Sequence, residues 1–141
     1  MNYMTQEDKD LLLKDLCASL PYGVKCNVGD DKPYTLSRIE VDDKNGHLLD
    51  FEEMKDGLDM QVYLSECKPY LFPLSSMSER QCYELSSIRS SFQDCWKYIK
   101  TPIPLSICNF EQIEWLHKNH FDYRGLIKNG LAIDCTNLNI Y

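Results

Sequence analysis

The chain has 141 residues, of which 43% are hydrophobic and 26% charged, and its formal net charge is −7. This length and composition are typical of a single globular domain and argue against a disordered or fibrous protein. No uninterrupted apolar run is longer than Leu11–Leu13, against ~18 residues for a membrane-spanning helix, and residues 1–10 are polar and acidic, unlike a secretory signal.

Residues 6–20 are predicted to form an amphipathic helix. Thr5 offers an N-cap hydroxyl, acidic residues occupy the first turn, and leucines recur at helical spacing. A Pro-Tyr-Gly sequence ends this helix. Apolar and polar residues then alternate over 24–28, which predicts a first strand.

A β-hairpin is predicted around the pair Asn45-Gly46. Strand-forming residues at 34–41 precede the pair and residues 47–51 follow it, and Asn-Gly suits the positive φ angles of a tight type I′ turn. A second turn at Asp56-Gly57 leads into a short strand over 60–64. Four short strands within about forty residues favour a small curved antiparallel sheet or an SH3-like barrel.

The second half of the chain is predicted to be richer in helix. Ser76 or Ser78 can cap a helix over about 79–87, and helical spacing resumes over 92–99. Two prolines then force an extended segment, and residues 103–107 can form a strand.

A further helix is predicted to begin after Asn109, because a Gln three residues later completes a capping box. This helix continues to about residue 119. Asp122 is expected to cap one more helical turn over 123–128, and residues 131–135 have the composition of a strand.

These elements predict an α+β fold in one domain, residues 1–141. We also predict that the protein is located in the cytoplasm. Residues 1–74 hold an N-terminal helix and the small sheet or barrel, and residues 75–141 hold a helix-rich portion packed against it. The seven cysteines are scattered and form no C-x-x-C pair, so reduced thiols in the interior are expected rather than a zinc or redox motif.

Charge is distributed unevenly along the chain. Of the 22 acidic residues, 15 lie in residues 1–70, which hold only 8 of the 15 basic residues. Such a density of carboxylates repels phosphate backbones. We therefore predict no nucleic-acid binding through the N-terminal half and no membrane partner.

Part of the acidic region, residues 41–52, matches most of the EF-hand calcium pattern. The residues at matching positions are Asp43, Asn45, Gly46, Leu48 and Glu52. The first position, which anchors the ion with Asp, is Val41, and the flanks are predicted to be strands rather than helices. A hairpin is therefore preferred over a calcium site.

The segment Trp115–Gly125 is the best candidate site, because histidines, an acid, aromatic rings and an arginine fall within it. His117 and His120 lie three residues apart with Asp122 close behind, a spacing that permits a metal ion. The alternative is that the two histidines interact with the carbonyl groups at the helix end.

The same segment is compatible with a small anion. Arg124 would anchor the anion, Tyr123 would stack on a base, and His117 or His120 would add a donor. In the alternative interpretation Arg124 pairs with Asp122 or Glu114 at the surface, while Tyr123 packs in the core.

Catalytic motifs are absent from the sequence: there is no G-x-S-x-G, the glycines are dispersed, and no Cys or Ser lies in a recognisable pattern with a histidine. We predict no cofactor and a non-enzymatic role. Tyrosines near the predicted strands suit a module that binds basic or proline-rich peptides, although half-buried tyrosines are also common without a ligand. These tyrosines are Tyr22, Tyr34, Tyr63 and Tyr70.

Four segments of the chain resemble a family of uncharacterised small proteins common in gut Bacteroidales genomes and their prophages. They are Leu20-Pro-Tyr-Gly-Val24, residues 68–77, Lys118 to Ile127, and Gly130-Leu-Ala-Ile133. The resemblance implies a bacterial or mobile-element setting and transfers no activity or site residue.

Three classes of function follow, in order of preference. The first is a non-enzymatic module that binds another protein, in such a setting an accessory protein. The second is a protein that sequesters a small anion such as a nucleotide, with an anti-defence role. The third is a small metal-dependent hydrolase.

Overall fold

The computed structural model describes residues 4–44, 46–54, 62–88 and 108–141. Over these ranges the chain forms helices α1 (Gln6–Ser19), α2 (Glu79–Ser87) and α3 (Phe110–Lys118). Its strands are β1 (Lys25–Asn27), β2 (Tyr34–Glu40), β3 (Leu48–Phe51), β4 (Val62–Tyr63), β5 (Lys68–Pro73), β6 (Phe121–Asp122) and β7 (Ile133–Asp134). The predicted α+β class is confirmed. The helix predicted over 92–99 and the strand predicted over 103–107 lie outside the described residues.

Each of the three helices begins with a reciprocal capping box, in which the cap side chain and the third helical residue bond each other's backbone N–H. The boxes join Thr5 with Asp8, Ser78 with Gln81 and Asn109 with Gln112. Helix α1 ends at Ser19, where a 3₁₀ turn over Leu20–Tyr22 leads to Gly23 with a positive φ of 69°. The predicted starts of all three helices are confirmed.

The sheet is open and mixed. Its strand order is β4-β3-β2-β1-β5-β6, and β7 also pairs with β5. The pairs from β1 to β5 are antiparallel, whereas β6 and β7 both run parallel to β5. The predicted SH3-like barrel is therefore wrong, and so is a purely antiparallel sheet. The sheet is mixed because β5 pairs in parallel with β6 and β7, two segments from the C-terminal part of the chain.

The predicted hairpin is present as β2 and β3, but its connection is longer than a tight turn. Glu40 pairs with Leu48, so residues 41–47 join the strands, and the Asp42 carbonyl accepts a hydrogen bond from Gly46 N–H at 3.1 Å. Asn45 lies outside the described residues. The calcium-like segment, residues 41–52, thus follows β2 and contains β3, as the hairpin interpretation requires.

Strand β5 was not predicted from the sequence. Its two prolines, Pro69 and Pro73, indicate a break because proline lacks a backbone N–H for the ladder. Both prolines nevertheless lie at paired positions of the sheet: Cys26 lies opposite Pro69, and Asp122 lies opposite Pro73, the last residue of the strand. Pro69, Tyr70 and Leu71 of β5 are buried, whereas Lys68 is exposed.

The predicted helical turn over 123–128 is also wrong. Strand β6 reaches Asp122, and the carboxylate of Asp122 accepts hydrogen bonds from the N–H groups of Leu126 and Ile127, both at 2.9 Å. This side chain holds an irregular turn instead of capping a helix. The predicted strand over 131–135 is shorter, at Ile133–Asp134.

Two groups of buried apolar side chains form the interior. The first lies between α1 and the sheet and includes Leu12, Leu16, Val24, Cys26, Leu36, Leu49, Phe51, Cys67, Leu71 and Leu126. The second lies around α2, α3 and β6 and contains Leu74, Met77, Cys82, Leu85, Leu116, Phe121 and Tyr123. No helix within the described ranges has the length and apolar character needed to cross a membrane.

Candidate functional site

A buried polar cluster lies where α1, α3 and the segment after β6 meet. It consists of Asp15, Ser19, His117, Tyr123 and Arg124. Asp15 and Ser19 lie on the buried face of α1, while His117 comes from the last turn of α3. The chain reverses direction over 119–122, so that Tyr123 and Arg124 lie against His117 and Asp15.

His117 is the centre of one half of this cluster. Its Nδ1 lies 2.8 Å from Ser19 Oγ, and its Nε2 lies 2.7 Å from Tyr123 Oη. Burial, and then the positive charges of Arg124 and His120, lower the pKa of His117 to about 4. The imidazole is therefore neutral at pH 7, with one donor and one acceptor nitrogen, and each hydroxyl can take the complementary role.

Arg124 and Asp15 form the other half. Arg124 Nε lies 3.3 Å from Asp15 Oδ1, and the side chains are 17% and 1% exposed. The Nε–H is not aligned for a hydrogen bond: in the described structure neither oxygen of Asp15 nor Arg124 Nε has a hydrogen-bond partner. The guanidinium carbon lies 4.9 Å from the centre of the Tyr123 ring, which links the two halves.

The carboxyl group of Asp15 has an unusual protonation equilibrium. The pKa of Asp15 is raised from 3.8 to about 7, because burial raises it by more than the charge of Arg124 lowers it, and the nearby Asp122 adds a smaller upward shift. A carboxylate in a dry interior needs hydrogen bonds as well as a counter-ion to stay charged cheaply. Asp15 has only the counter-ion, so it gains a proton near neutral pH.

His120 lies apart from this cluster. Its ring stacks on Tyr141, with centroids 3.6 Å apart and planes within 9° of each other. Burial and the charge of Lys25 lower the pKa of His120 to about 4. Its backbone has a positive φ of 62°, and its carbonyl accepts a hydrogen bond from Phe72 N–H at 2.8 Å.

The structure thus separates the residues that were predicted to form one site. His117, Tyr123 and Arg124 belong to the buried polar cluster, His120 stacks on Tyr141, and Asp122 bonds backbone N–H groups. His117, His120 and Asp122 do not converge on a metal position. Among the residues that the structure describes, no three His, Cys, Asp or Glu side chains lie close enough together to hold a metal ion.

The structural alternative predicted for Arg124 needs correction. Tyr123 packs in the core as the structural alternative expected, but the partner of Arg124 is Asp15 rather than Asp122 or Glu114. Glu114 instead accepts a hydrogen bond from the Tyr22 hydroxyl at 3.3 Å. The ion pair is therefore buried and not a surface pair.

Sequence reasoning missed Asp15 and Ser19, although a signal was present. Both follow the spacing of Leu12 and Leu16 and lie on the buried face of α1. A polar residue at an apolar position of an amphipathic helix indicates a buried polar partner elsewhere in the chain.

Ser19 and His117 are the residue types of a catalytic nucleophile and its base, but a substrate has no access to them. Ser19 and His117 are both buried, and Ser19 closes the end of α1 against α3. A substrate could reach the Ser19 oxygen only after α1 separated from α3. In this arrangement the pair fixes the two helices to each other.

Comparison with known proteins found no matching family model, no matching curated protein and no matching solved structure. The resemblance to small Bacteroidales and prophage proteins therefore stays a prediction.

Proposed function

We propose that this protein is a cytoplasmic, non-enzymatic module that binds another protein. The observation that carries this proposal is that the candidate polar side chains bond other groups of the same chain inside the fold. His117 is bonded on both ring nitrogens, Asp122 holds backbone N–H groups, and Arg124 faces a buried carboxylate. Chemistry on a substrate needs such groups to be accessible, whereas a scaffold for protein binding does not.

Exposed aromatic rings on α2 and α3 support the same proposal. Tyr83 on α2 is 77% exposed and Phe110 at the start of α3 is 74% exposed. The buried amide of Gln112 donates a hydrogen bond to the Leu85 carbonyl at 3.2 Å, which fixes α3 to α2. Aromatic side chains are enriched at protein interfaces, where they bury a large area at little entropic cost.

The cysteines support the proposed cellular location. The cysteines Cys17, Cys26, Cys67, Cys108 and Cys135 form no disulfide in the described structure. Reduced cysteines are typical of cytosolic proteins. A bacterial or prophage accessory role belongs to this proposal only through the sequence resemblance.

Site-specific photo-crosslinking tests the proposal. p-Benzoylphenylalanine is placed at Tyr83 in the native cell, with the same reagent at Val41 as the control, since Val41 is also exposed but lies in the hairpin connection. We expect an adduct of discrete mass from position 83 that disappears when Phe110→Ser is added. Absence of an adduct, or equal adducts from both positions regardless of Phe110, would count against this surface.

A specific observation favours one alternative, the sequestration of a small anion at Arg124. Because Asp15 gains a proton near neutral pH, the charge of Arg124 is then left without its counter-ion, and 17% of the side chain is exposed. An anion bound there would replace the charge of Asp15.

Thermal-shift measurements with inorganic phosphate and with mono-, di- and cyclic nucleotides test this alternative. A shift that is lost in Arg124→Ala and kept in Arg38→Ala supports it. The Arg38 control removes an exposed arginine that pairs with Asp50 at 3.5 Å. If no anion shifts the wild type, or if the Arg124 variant keeps the shift, protein binding is the remaining proposal.

A further inference from the structure

A flat slot at the junction of β1 and β5 holds the side chain of Tyr141. We call it the tyrosyl slot, and its walls are the rings of His120 and Phe72 and the backbone of Lys25 and Tyr70. The Tyr141 ring stacks against His120 and lies 6.0 Å from Phe72, centroid to centroid.

The hydroxyl of Tyr141 is bonded on both sides. It accepts a hydrogen bond from Lys25 N–H at 2.8 Å and donates one to the Tyr70 carbonyl at 2.9 Å. Lys25 and Tyr70 are the next pair in the antiparallel register after Cys26 and Pro69. The hydroxyl therefore stands where a direct bond between the two strands would otherwise form.

This arrangement selects for a phenol. The slot presents one donor and one acceptor to the same atom, and among flat aromatic side chains only tyrosine carries a hydroxyl that can serve both. Phenylalanine would leave both backbone groups unpaired, at the usual penalty for buried polar groups. The His120 wall is neutral at pH 7 and is held in place by the bond from Phe72 N–H to its carbonyl.

The segment that carries Tyr141 is attached lightly. We call residues 136–141 the strap. Within the described residues, the hydrogen bonds of Thr136 and Leu138 are local ones to Asp134 and Cys135, and residues 136–139 are exposed. Asn139 has a positive φ of 54°, which a non-glycine residue adopts at some cost. Tyr141 thus supplies the main polar anchor of the strap.

We propose that the tyrosyl slot is a recognition site for a tyrosyl side chain presented by another polypeptide, and that Tyr141 occupies it as an internal competitor. A slot that is specific for one side chain and is filled by a lightly attached segment can exchange its occupant. Tyr141 as a whole residue is 41% exposed, so the tyrosyl slot lies at the surface of the protein, where another polypeptide can approach it. This proposal does not rest on the surface around Tyr83 and Phe110.

Fluorescence anisotropy with labelled peptides tests the proposal on the full chain. The probe has the sequence of residues 136–141, and the matched control replaces its tyrosine by phenylalanine. We expect Tyr141→Ala to bind the tyrosyl peptide, and to bind the phenylalanyl peptide roughly tenfold or more weakly because two hydrogen bonds are lost. Wild type should bind the tyrosyl peptide at least about tenfold more weakly than the variant, since Tyr141 competes at high effective concentration. Adding His120→Ala to the variant should abolish binding.

A second measurement covers the case in which Tyr141→Ala does not fold. 3-Fluorotyrosine is placed at position 141 of the otherwise unchanged chain, and its ¹⁹F signal is followed as peptide is added. Displacement by the tyrosyl peptide and not by the phenylalanyl peptide supports the slot. No binding by a folded variant, equal binding of the two peptides, or an unmoved ¹⁹F signal would overturn it.

Discussion

Replacing Arg124 with alanine should destabilise the protein more at pH 8 than at pH 5.5. Arg124 is the counter-ion of Asp15, and its charge is what lets the buried carboxyl ionise at all near neutral pH. Without Arg124, Asp15 stays protonated in the folded state while it ionises freely in the unfolded chain. The variant therefore continues to lose stability above pH 7, where the wild type no longer does.

The size of this effect follows from the pKa of Asp15. With a folded pKa of about 7, ionisation stabilises the wild type by roughly 1.4 kcal/mol at pH 8 and by almost nothing at pH 5.5. The variant lacks this contribution. At both pH values it also loses the packing of Arg124 on Tyr123, about 0.5–1 kcal/mol. We expect a total loss of about 1 kcal/mol at pH 5.5 and about 2–2.5 kcal/mol at pH 8.

Urea unfolding followed by tryptophan fluorescence measures both values, because Trp115, one of the two tryptophans, is stacked on Phe121 in the folded state. Arg38→Ala is the matched control, since its ion pair with Asp50 is more than half exposed, and its loss should be under about 1 kcal/mol and equal at the two pH values. In an Asp15→Asn background, the pH dependence of Arg124→Ala should vanish.

An equal loss at both pH values, or a larger loss at pH 5.5, would refute this reasoning. Loss of the Arg124 charge also raises the pKa of folded His117 in the variant, which can only reduce the loss of stability at pH 5.5 and therefore acts in the predicted direction. Both measurements also lie above the folded pKa of about 4 for His117 and His120.

Three further predictions follow from the same groups. The free energy of unfolding, measured by urea titration, should rise between about pH 4 and pH 6.5. In this window the unfolded state binds two more protons than the folded state at His117 and His120, and one fewer at Asp15, because of their shifted pKa values. A free energy that falls over this window would contradict these shifts. His117→Phe should cost about 2–4 kcal/mol in urea unfolding, since the hydroxyls of Ser19 and Tyr123 lose a buried partner, and a loss below about 1 kcal/mol would mean that water replaces the imidazole. Thiol titration of protein denatured without reductant should find all seven cysteines free, and two or more missing thiols would contradict the cytoplasmic assignment.

Local signals predicted the helices well and the sheet poorly. The helix starts are encoded by a few neighbouring residues, such as Asn109 and the Gln three positions later, so one sequence is enough to place them. Strand β5 depends on partners that are distant in the chain: Tyr70 pairs with Ile133. Its prolines indicated a break, and no local pattern could show that distant segments pair with it all the same.

The candidate site was likewise predictable only for those of its residues that are close together in sequence. His117, Tyr123 and Arg124 are close in sequence, and their proximity in space was predictable from the short link after α3. Asp15 and Ser19 lie about a hundred residues earlier, and only the fold brings them to this place. An amino-acid sequence shows which polar residues lie on an otherwise apolar helix face, but it does not show which distant residue pairs with each of them.

The pairing of β5 also sets an order of assembly. The β2–β3 hairpin joins residues that are near each other in the chain, so it closes with a small loss of chain entropy. Strands β6 and β7 can dock only once β5 offers its edges, and each closes a far longer loop. Topologies with such long-range parallel pairing fold slowly. Residues 108–141 are thus expected to acquire protection from hydrogen exchange last during refolding, after the hairpin is already protected.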